Sequence, residues 1–214
     1  MRLASVHYSN AIPLTDGITT PLWKASPRAI LEHPEQWDIA LLSTLALFQN
    51  PQWELIPGVA IGSFGAVHSV KLVFKENRQT IHNIRRIYLD AESNTAQILC
   101  KILLRFYWQL DLKRFYFTED PNEAVEAQLL IGDKALHHPA PMKIDLGKTW
   151  TDWTGLPFVY AAWIAKNKVF KVAEQHRPNQ PEALLDYWNQ LCYEWGPAQE
   201  QSLQLFEKYY RQLI

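Results

Sequence analysis

The middle of this chain alternates short apolar segments of strand length with a stretch of helical periodicity. Arg86–Leu89 (RIYL) is typical of a buried strand, and apolar pairs then recur every four residues over 98–107. Further strand candidates follow at 115–117 and 128–131 (QLLI). Strands that alternate with helices in this way favour an α/β fold with a parallel sheet.

The two ends of the chain extend this pattern. Strands are predicted at 2–8, 55–59, 60–63, 69–74 and 156–165, and a strand running into a short helix from Asp38 (DIALLSTLALF). Helices are predicted at 121–126, at 147–153, over 181–195 and after Gly196-Pro197. Helices therefore gather at the end of the chain.

Composition narrows the class of protein. A chain of 214 residues, 48% hydrophobic, suits one large domain or two small lobes sharing a cleft. Lys plus Arg number 21 and Asp plus Glu 22, which argues against a nucleic-acid or anionic-membrane partner. Cys100 and Cys192 have neither zinc nor disulfide spacing. With no secretory signal and no apolar run of membrane-spanning length, we expect a soluble, cytoplasmic protein.

Generic catalytic signatures are missing from the sequence. It contains no Gly-rich phosphate loop, G-x-S-x-G, H-E-x-x-H or C-x-x-C, so no motif points to a metal site. The adjacent pair His137-His138 favours a surface loop over a metal site, because neighbouring residues do not converge on one ion. His7 is either a hydrogen-bonded strand residue or a catalytic one, and His68 faces either a cleft or solvent.

Several polar residues follow or begin predicted elements. Asp133 comes directly after a buried strand, where it either caps the next helix or lines a ligand site. Ser93 and Thr95 begin the strong helix, as caps or as part of an anion site. Asn10 follows one strand and Ser69 begins another, and local chemistry alone does not single them out.

Large aromatic side chains are more often core residues than ligand contacts. Trp150, Trp153 and Trp163 are interpreted in this way, as core and lobe-packing residues. Phe158 and Tyr160 alternate along one predicted strand, so only one of them faces a cleft.

Five ordered motifs together resemble the chorismate dehydratase family. They are Y-x-N-A-x-P-L (8–14), G-S-x-G-x-V-x-S-V (62–70), R-R-I-Y-L-D-x-x-S-x-T (85–95), L-I-G-D-K-A-L (130–136) and D-L-G-x-x-W-x-x-W-T-G-L-P-F-V-x-A-x-W (145–163). The resemblance covers about residues 2–168. That family serves the futalosine route to menaquinone and shares its fold with the related dihydroxynaphthoate synthases.

The resemblance implies a periplasmic-binding-protein-like type 2 fold, in which two α/β lobes and a two-stranded hinge enclose a ligand cleft. Lobe one is then expected at 1–74 and 156–214, and lobe two at 75–155. The chain would cross between the lobes near 73–76 and 153–157.

The resemblance also implies an activity, the loss of water from chorismate to give 3-[(1-carboxyvinyl)oxy]benzoate without a cofactor. Asn10 and Ser69 carry over as catalytic residues. The implied substrate-binding positions are Ser93, Asn94, Thr95, Gly155, Leu156 and Pro157. None of these is an obvious general base, so we expect a carboxylate of the substrate to take the proton. Chorismate is the expected small-molecule partner, and the oligomeric state is open.

Some positions depart from the family pattern S-R-T-S at the helix start. Asn94 stands where arginine is usual and Ala96 where the last serine is usual, so a bidentate carboxylate partner is absent. Ser9 stands for leucine and Ala66 for proline, and two segments are shorter than usual. The alternatives are an enzyme for another cyclic carboxylate and a non-catalytic small-carboxylate binder. Retention of Asn10 and Ser69 favours the enzyme, and loss of the arginine favours the binder.

Overall fold

The computed structural model describes residues 1–139, 142–166 and 186–214. Its strands are β1 (Leu3–Val6), β2 (Leu22–Ala25), β3 (Ile39–Ser43), β4 (Glu54–Ser63), β5 (Val70–Phe74), β6 (Arg86–Leu89), β7 (Tyr116–Thr118), β8 (Ala127–Ile131), β9 (Lys143–Asp145), β10 (Phe158–Ala165) and β11 (Cys192–Glu194). Its α-helices are α1 (Ile12–Thr15), α2 (Pro27–Glu32), α3 (Leu45–Gln49), α4 (Asn94–Ile102), α5 (Gly132–Leu136), α6 (Leu146–Thr154) and α7 (Pro197–Leu213).

The strands form two mixed sheets rather than the expected parallel one. One sheet has the order β11-β4-β10-β3-β1-β2, and the other has the order β7-β6-β8-β5-β9. β1 pairs in parallel with β2 and β3, and β6 with β7 and β8. β5 and β10, the two strands that receive the chain from the other sheet, run antiparallel to their neighbours.

The chain crosses between the sheets twice. It leaves the six-stranded sheet after Ser63 and enters the five-stranded sheet at Val70, then returns between Thr154 and Phe158. The first crossing therefore precedes the one expected at 73–76, because Val73 and Phe74 lie inside β5 and pair with β8. A lobe boundary that follows the sheets falls before Val70 rather than after residue 74.

Packing around α6 and β10 holds the two sheets together. Trp150 and Trp163 are fully buried, as expected for core residues. Trp153 is half-buried, and its ring stacks on Tyr209 of α7 with 4.9 Å between the ring centroids. The Trp150 Nε1–H donates to Ser202 Oγ of α7 at 3.0 Å, so even the indole nitrogen is satisfied inside the core.

Two predicted helices differ from the observed structure. Residues 121–126 form turns, since the Asn122 backbone N–H and side-chain amide donate to Asp120 Oδ1 and compete with helical hydrogen bonds. Of the helix predicted over 181–195, residues 181–185 lie outside the described residues. Residues 186–188 are helical as predicted, but the end of the segment is strand β11, which pairs antiparallel with β4. The prediction also omitted α1, β2, α2 and β9. No helix in the described ranges is long and apolar enough to cross a membrane.

Candidate ligand pocket

A pocket that is partly open to solvent lies where the two sheets face each other, and about 490 Å³ of empty space, open solvent included, belongs to it. Both sheets contribute apolar residues to its wall. The polar residues that line it are Tyr8, Asn10, Ser43, Ser69, Ser93 and Tyr160. No lysine or arginine is present among the described residues that line it, so its polarity comes from hydroxyl, amide and backbone groups.

Asn10 and Ser69, the two predicted catalytic residues, are brought together in this pocket. Ser69 directly precedes β5 and is 1% exposed, and its Oγ accepts a 2.8 Å hydrogen bond from the Tyr187 hydroxyl. Asn10 lies in the turn after β1, and its backbone carbonyl accepts from the Tyr193 hydroxyl at 3.0 Å. Asn10 Oδ1 is buried and has no hydrogen-bond partner in the part of the chain that the structure describes.

The N-terminus of α4 opens on the same pocket. Ser93 is the N-cap residue, lines the pocket, and accepts at its Oγ from the Ala96 N–H at 3.2 Å. The N–H groups of Asn94 and Thr95 make no hydrogen bond to any described residue. Free N–H groups at the positive end of a helix dipole suit a carboxylate.

The Thr95 hydroxyl, also predicted to bind substrate, is engaged elsewhere. Thr95 is 2% exposed, and its Oγ1 contacts Ser43 Oγ and accepts from the Leu45 N–H at 3.2 Å. These bonds join α4 to the six-stranded sheet. The Thr95 hydroxyl thus links α4 to β3 and α3, next to the pocket residue Ser43.

The remaining predicted substrate-binding positions are absent from the described lining. Asn94 is half-buried beside the pocket and does not line it. Gly155, Leu156 and Pro157 form the turn from α6 to β10, and the Leu156 carbonyl accepts from Thr151 Oγ1 at 3.2 Å. Gly155 has φ of 70°, the left-handed conformation that ends α6 and favours glycine. This segment positions β10, whose Tyr160 reaches the pocket while Phe158 is buried.

Two side-chain hydrogen bonds cross from one sheet to the other at the edge of the pocket. The Tyr8 hydroxyl donates to Glu92 Oε2 at 2.7 Å, and Ser9 Oγ donates to Asp133 Oδ1 at 2.6 Å. Lys134 Nζ lies 3.7 Å from Glu92 Oε2. Asp133 therefore contacts the loop after β1, and the N-cap of α5 is Ile131 instead.

Burial keeps the tyrosines around the pocket protonated. It raises the pKa of Tyr187 to about 12. It also raises the pKa of Tyr8, with a further contribution from Glu92, and that of Tyr160, with a further contribution from Asp145. These phenols are therefore neutral hydrogen-bond donors at every pH at which the protein would normally be assayed.

The histidines singled out from the sequence lie outside the pocket lining. His7 and His68 are exposed, and His68 has φ of 60° with its N–H donating to Asp145 Oδ2 at 2.7 Å. His137 is exposed, and its Nδ1 contacts the Asp133 carbonyl oxygen at 2.9 Å. Within the described ranges, no group of three His, Cys, Asp or Glu side chains is arranged to hold a metal ion.

Comparison with known proteins decides the family. The sequence profile described as menaquinone biosynthesis matches residues 1–177. The chain belongs to the menaquinone biosynthesis family. The matched residues include Asn10, Ser69 and Ser93, which line the pocket of this family member.

Solved structures confirm the predicted periplasmic-binding-protein-like type 2 fold. Protein AF1704 from Archaeoglobus fulgidus superposes with a TM-score of 0.56 at 12% identity, covering 99% of this chain and 80% of that one. The periplasmic aliphatic sulphonate binding protein SsuA from Escherichia coli gives 0.50 at 15% identity, covering 78% of this chain and 64% of that one. At such identities the likeness shows the fold alone.

Sequence reasoning missed two tyrosines outside the pocket lining whose hydroxyls bond to Ser69 and Asn10. Tyr187 and Tyr193 lie after residue 177, where the family match ends. They belong to the segment interpreted as an amphipathic helix, in which aromatic residues are expected to pack in the core. The signal available was chemical, since a tyrosine within an apolar stripe brings a hydroxyl that needs a partner when buried.

Proposed function

We propose that this member of the menaquinone biosynthesis family is a hydro-lyase that converts chorismate to 3-[(1-carboxyvinyl)oxy]benzoate. The observation that carries the proposal is the meeting of Asn10 and Ser69, from the first and second motifs, in one pocket between the sheets. Its apolar wall with a few polar groups suits a small ring with carboxylate substituents.

The reaction needs little from the protein beyond position and polarity. A ring C–H bond and the ring C–OH bond break, the C–H electron pair becomes a ring double bond, and the hydroxyl leaves as water once protonated. The product ring is aromatic, so the elimination is strongly downhill and requires no redox partner. Holding the leaving hydroxyl against fixed hydrogen-bonding groups lowers the barrier by orientation and by stabilising developing charge.

Asn10 and Ser69 supply complementary hydrogen-bonding groups for that hydroxyl. Asn10 Oδ1 has no other partner among the described residues, and it accepts a hydrogen bond from the ring hydroxyl. Ser69 donates a hydrogen bond to the oxygen as the C–O bond lengthens. The substrate carboxyl group that took the ring proton passes it to the leaving hydroxyl, so water departs and Ser69 keeps its own proton. No carboxylate or imidazole side chain belongs to the described lining, which supports a carboxylate of the substrate as the proton acceptor.

A carboxylate of the ligand is bound at the N-terminus of α4. The free N–H groups of Asn94 and Thr95 and the Ser93 hydroxyl lie at the end of the helix where anions are stabilised by about 0.3–1 kcal/mol, more when partly buried. This site replaces the arginine that the family pattern has at position 94. It binds a carboxylate through N–H dipoles instead of a full positive charge.

A second candidate is a non-catalytic binder of a small carboxylate, or an enzyme for a related cyclic carboxylate. It is favoured by one observation, the absence of lysine and arginine from the described lining, because a dianion such as chorismate is usually met by a cation. Binding without turnover would identify this candidate.

Alanine variants of the two pocket residues test the proposed site. We expect Asn10→Ala and Ser69→Ala to lower chorismate turnover by about 100-fold, comparable with loss of one fixed transition-state hydrogen bond. Asn50→Ala and Ser202→Ala are matched controls: Asn50 lies at the end of α3, and Ser202 is a serine of equal burial on α7. Equal turnover in all four variants would refute the assigned roles.

A further inference from the structure

The segment that ends in β11 donates three hydrogen bonds to the loops that carry Asn10 and Ser69. The Trp188 Nε1–H donates to the Ser9 carbonyl at 3.1 Å, and the Tyr193 hydroxyl donates to the Asn10 carbonyl at 3.0 Å. The Tyr187 hydroxyl donates to Ser69 Oγ at 2.8 Å. The first two bonds fix backbone, whereas the third reaches a side chain that lines the pocket.

Tyr187 stands behind Ser69 relative to the pocket. It is 8% exposed and is not among the residues that line the pocket, whereas Ser69 is. Because a hydroxyl has one proton and two lone pairs, a bond accepted from Tyr187 occupies one lone pair of Ser69 and leaves the serine proton to be donated. Tyr187 is the one described hydrogen-bond partner of Ser69 Oγ, so that proton is available to a ligand.

We propose that Tyr187 is a positioning residue that directs the Ser69 hydroxyl proton into the pocket, toward an oxygen atom of the bound ligand. The catalytic use of that proton rests on the proposed function. The family match ends at residue 177, so it assigns no role to Tyr187. The ligand group recognised in this way is an acceptor oxygen, a leaving hydroxyl or a carboxylate.

The direction of the Tyr187–Ser69 hydrogen bond is stable over a wide pH range. Burial raises the pKa of Tyr187 to about 12, so the phenol keeps its proton in neutral and mildly alkaline solution. A phenol that remains protonated remains a donor, and Ser69 remains the acceptor of that bond. The orientation of the serine is therefore set by the protein before the ligand arrives, which is the condition for effective electrostatic stabilisation.

A double-mutant cycle on Tyr187→Phe and Ser69→Ala tests this role. We expect Tyr187→Phe to lower kcat for chorismate by about tenfold or more with a smaller change in KM, since it removes a hydroxyl and keeps the ring. The double variant should be no slower than Ser69→Ala alone, because Tyr187 acts through Ser69. Tyr210→Phe, whose ring packs on Phe48 at 5.8 Å, is the matched control and should match the wild type.

A merely structural role would give a different result. Multiplied effects on kcat in the double variant, or an unchanged kcat in Tyr187→Phe, would overturn the proposal. The same cycle measured on the thermal midpoint needs no substrate. If the wild type fails to convert chorismate, the proposed function is refuted. Non-additive changes in the thermal midpoint of the single and double variants would then still support the hydrogen bond from Tyr187 to Ser69. Additive changes would overturn it.

Discussion

The hydroxyl of Tyr8 donates a 2.7 Å hydrogen bond to Glu92, which joins the loop after β1 to the loop before α4 at the edge of the pocket. A second bond, from Ser9 to Asp133, spans the same gap. Both bonds therefore hold the two sheets together at the edge of the pocket.

Tyr8→Phe should weaken this link between the sheets and, with it, ligand binding. Removing a hydrogen bond to a carboxylate costs about 1–2 kcal/mol in a partly exposed setting, so we expect ligand affinity to fall by about 5- to 30-fold. Calorimetric titration with chorismate measures the change. Tyr116→Phe is the matched control, since its hydroxyl also donates to a glutamate, Glu123 at 3.1 Å, on β7. Equal affinities in both variants would show that the Tyr8 bond does not contribute to ligand binding.

Gly132 tests how closely Tyr8 packs on α5. A Cβ at Gly132 would lie 2.8 Å from Tyr8 Cδ1, and the residue has φ of 59°. Gly17 has φ of 79° with nothing within 4 Å of its Cβ position, so Gly17→Ala carries the backbone strain without the collision. We expect Gly132→Ala to lower both the thermal midpoint and ligand affinity more than Gly17→Ala does. Gly17→Ala should lower the free energy of unfolding by only about 1 kcal/mol. Indistinguishable variants would contradict this packing.

Asp145 should stabilise the crossing between the sheets. Its carboxylate accepts from the backbone N–H groups of Val67, His68 and Lys148, at 2.7–3.1 Å. Asp145→Ala leaves these donors unpaired, and we expect a loss of about 2–3 kcal/mol in the free energy of unfolding, measured with urea. Asp152→Ala removes only an exposed ion pair with Lys148 and should cost less than about 1 kcal/mol. A similar loss in both would refute the role of Asp145.

Alkaline pH should destabilise the protein through its buried tyrosines. Their pKa values are raised on folding, so the neutral phenol is favoured, and this stability is complete below pH 10 and lost as the pH rises through the folded values. We expect the unfolding free energy to fall between about pH 10 and 12, and absorbance at 295 nm to show slow or late ionisation of several tyrosines. Tyr187→Phe should remove the transition near pH 12. Ionisation of all tyrosines near pH 10 in the folded protein would contradict the burial.

Much of the fold was predictable because its strongest patterns are local. The paired apolar repeat of α4, the buried run of β10 and the strand-to-helix switch after Asp38 are each decided by neighbouring residues. β11 was not predictable, because its residues follow an apolar stripe of helical spacing and its conformation comes from pairing with β4. Tertiary pairing of this kind overrides local preference.

The site was predictable only in part, for a related reason. The motifs brought attention to Asn10, Ser69 and Ser93, which the fold gathers around one pocket. They did not indicate that Thr95 bonds to Ser43 across the sheets, since that contact joins residues far apart in the chain. The contribution of Tyr187 is equally non-local.

The central claim is the dehydration of chorismate in the pocket that contains Asn10 and Ser69. The most direct measurement is incubation of the purified protein with chorismate, followed by liquid chromatography and mass spectrometry. The account predicts a product lighter by one water, formed by the wild type and the Ser202→Ala control and strongly reduced in Asn10→Ala. Chorismate that stays intact with the wild type, while calorimetry detects its binding, would contradict the dehydratase and leave a carboxylate binder or an enzyme for a related cyclic carboxylate.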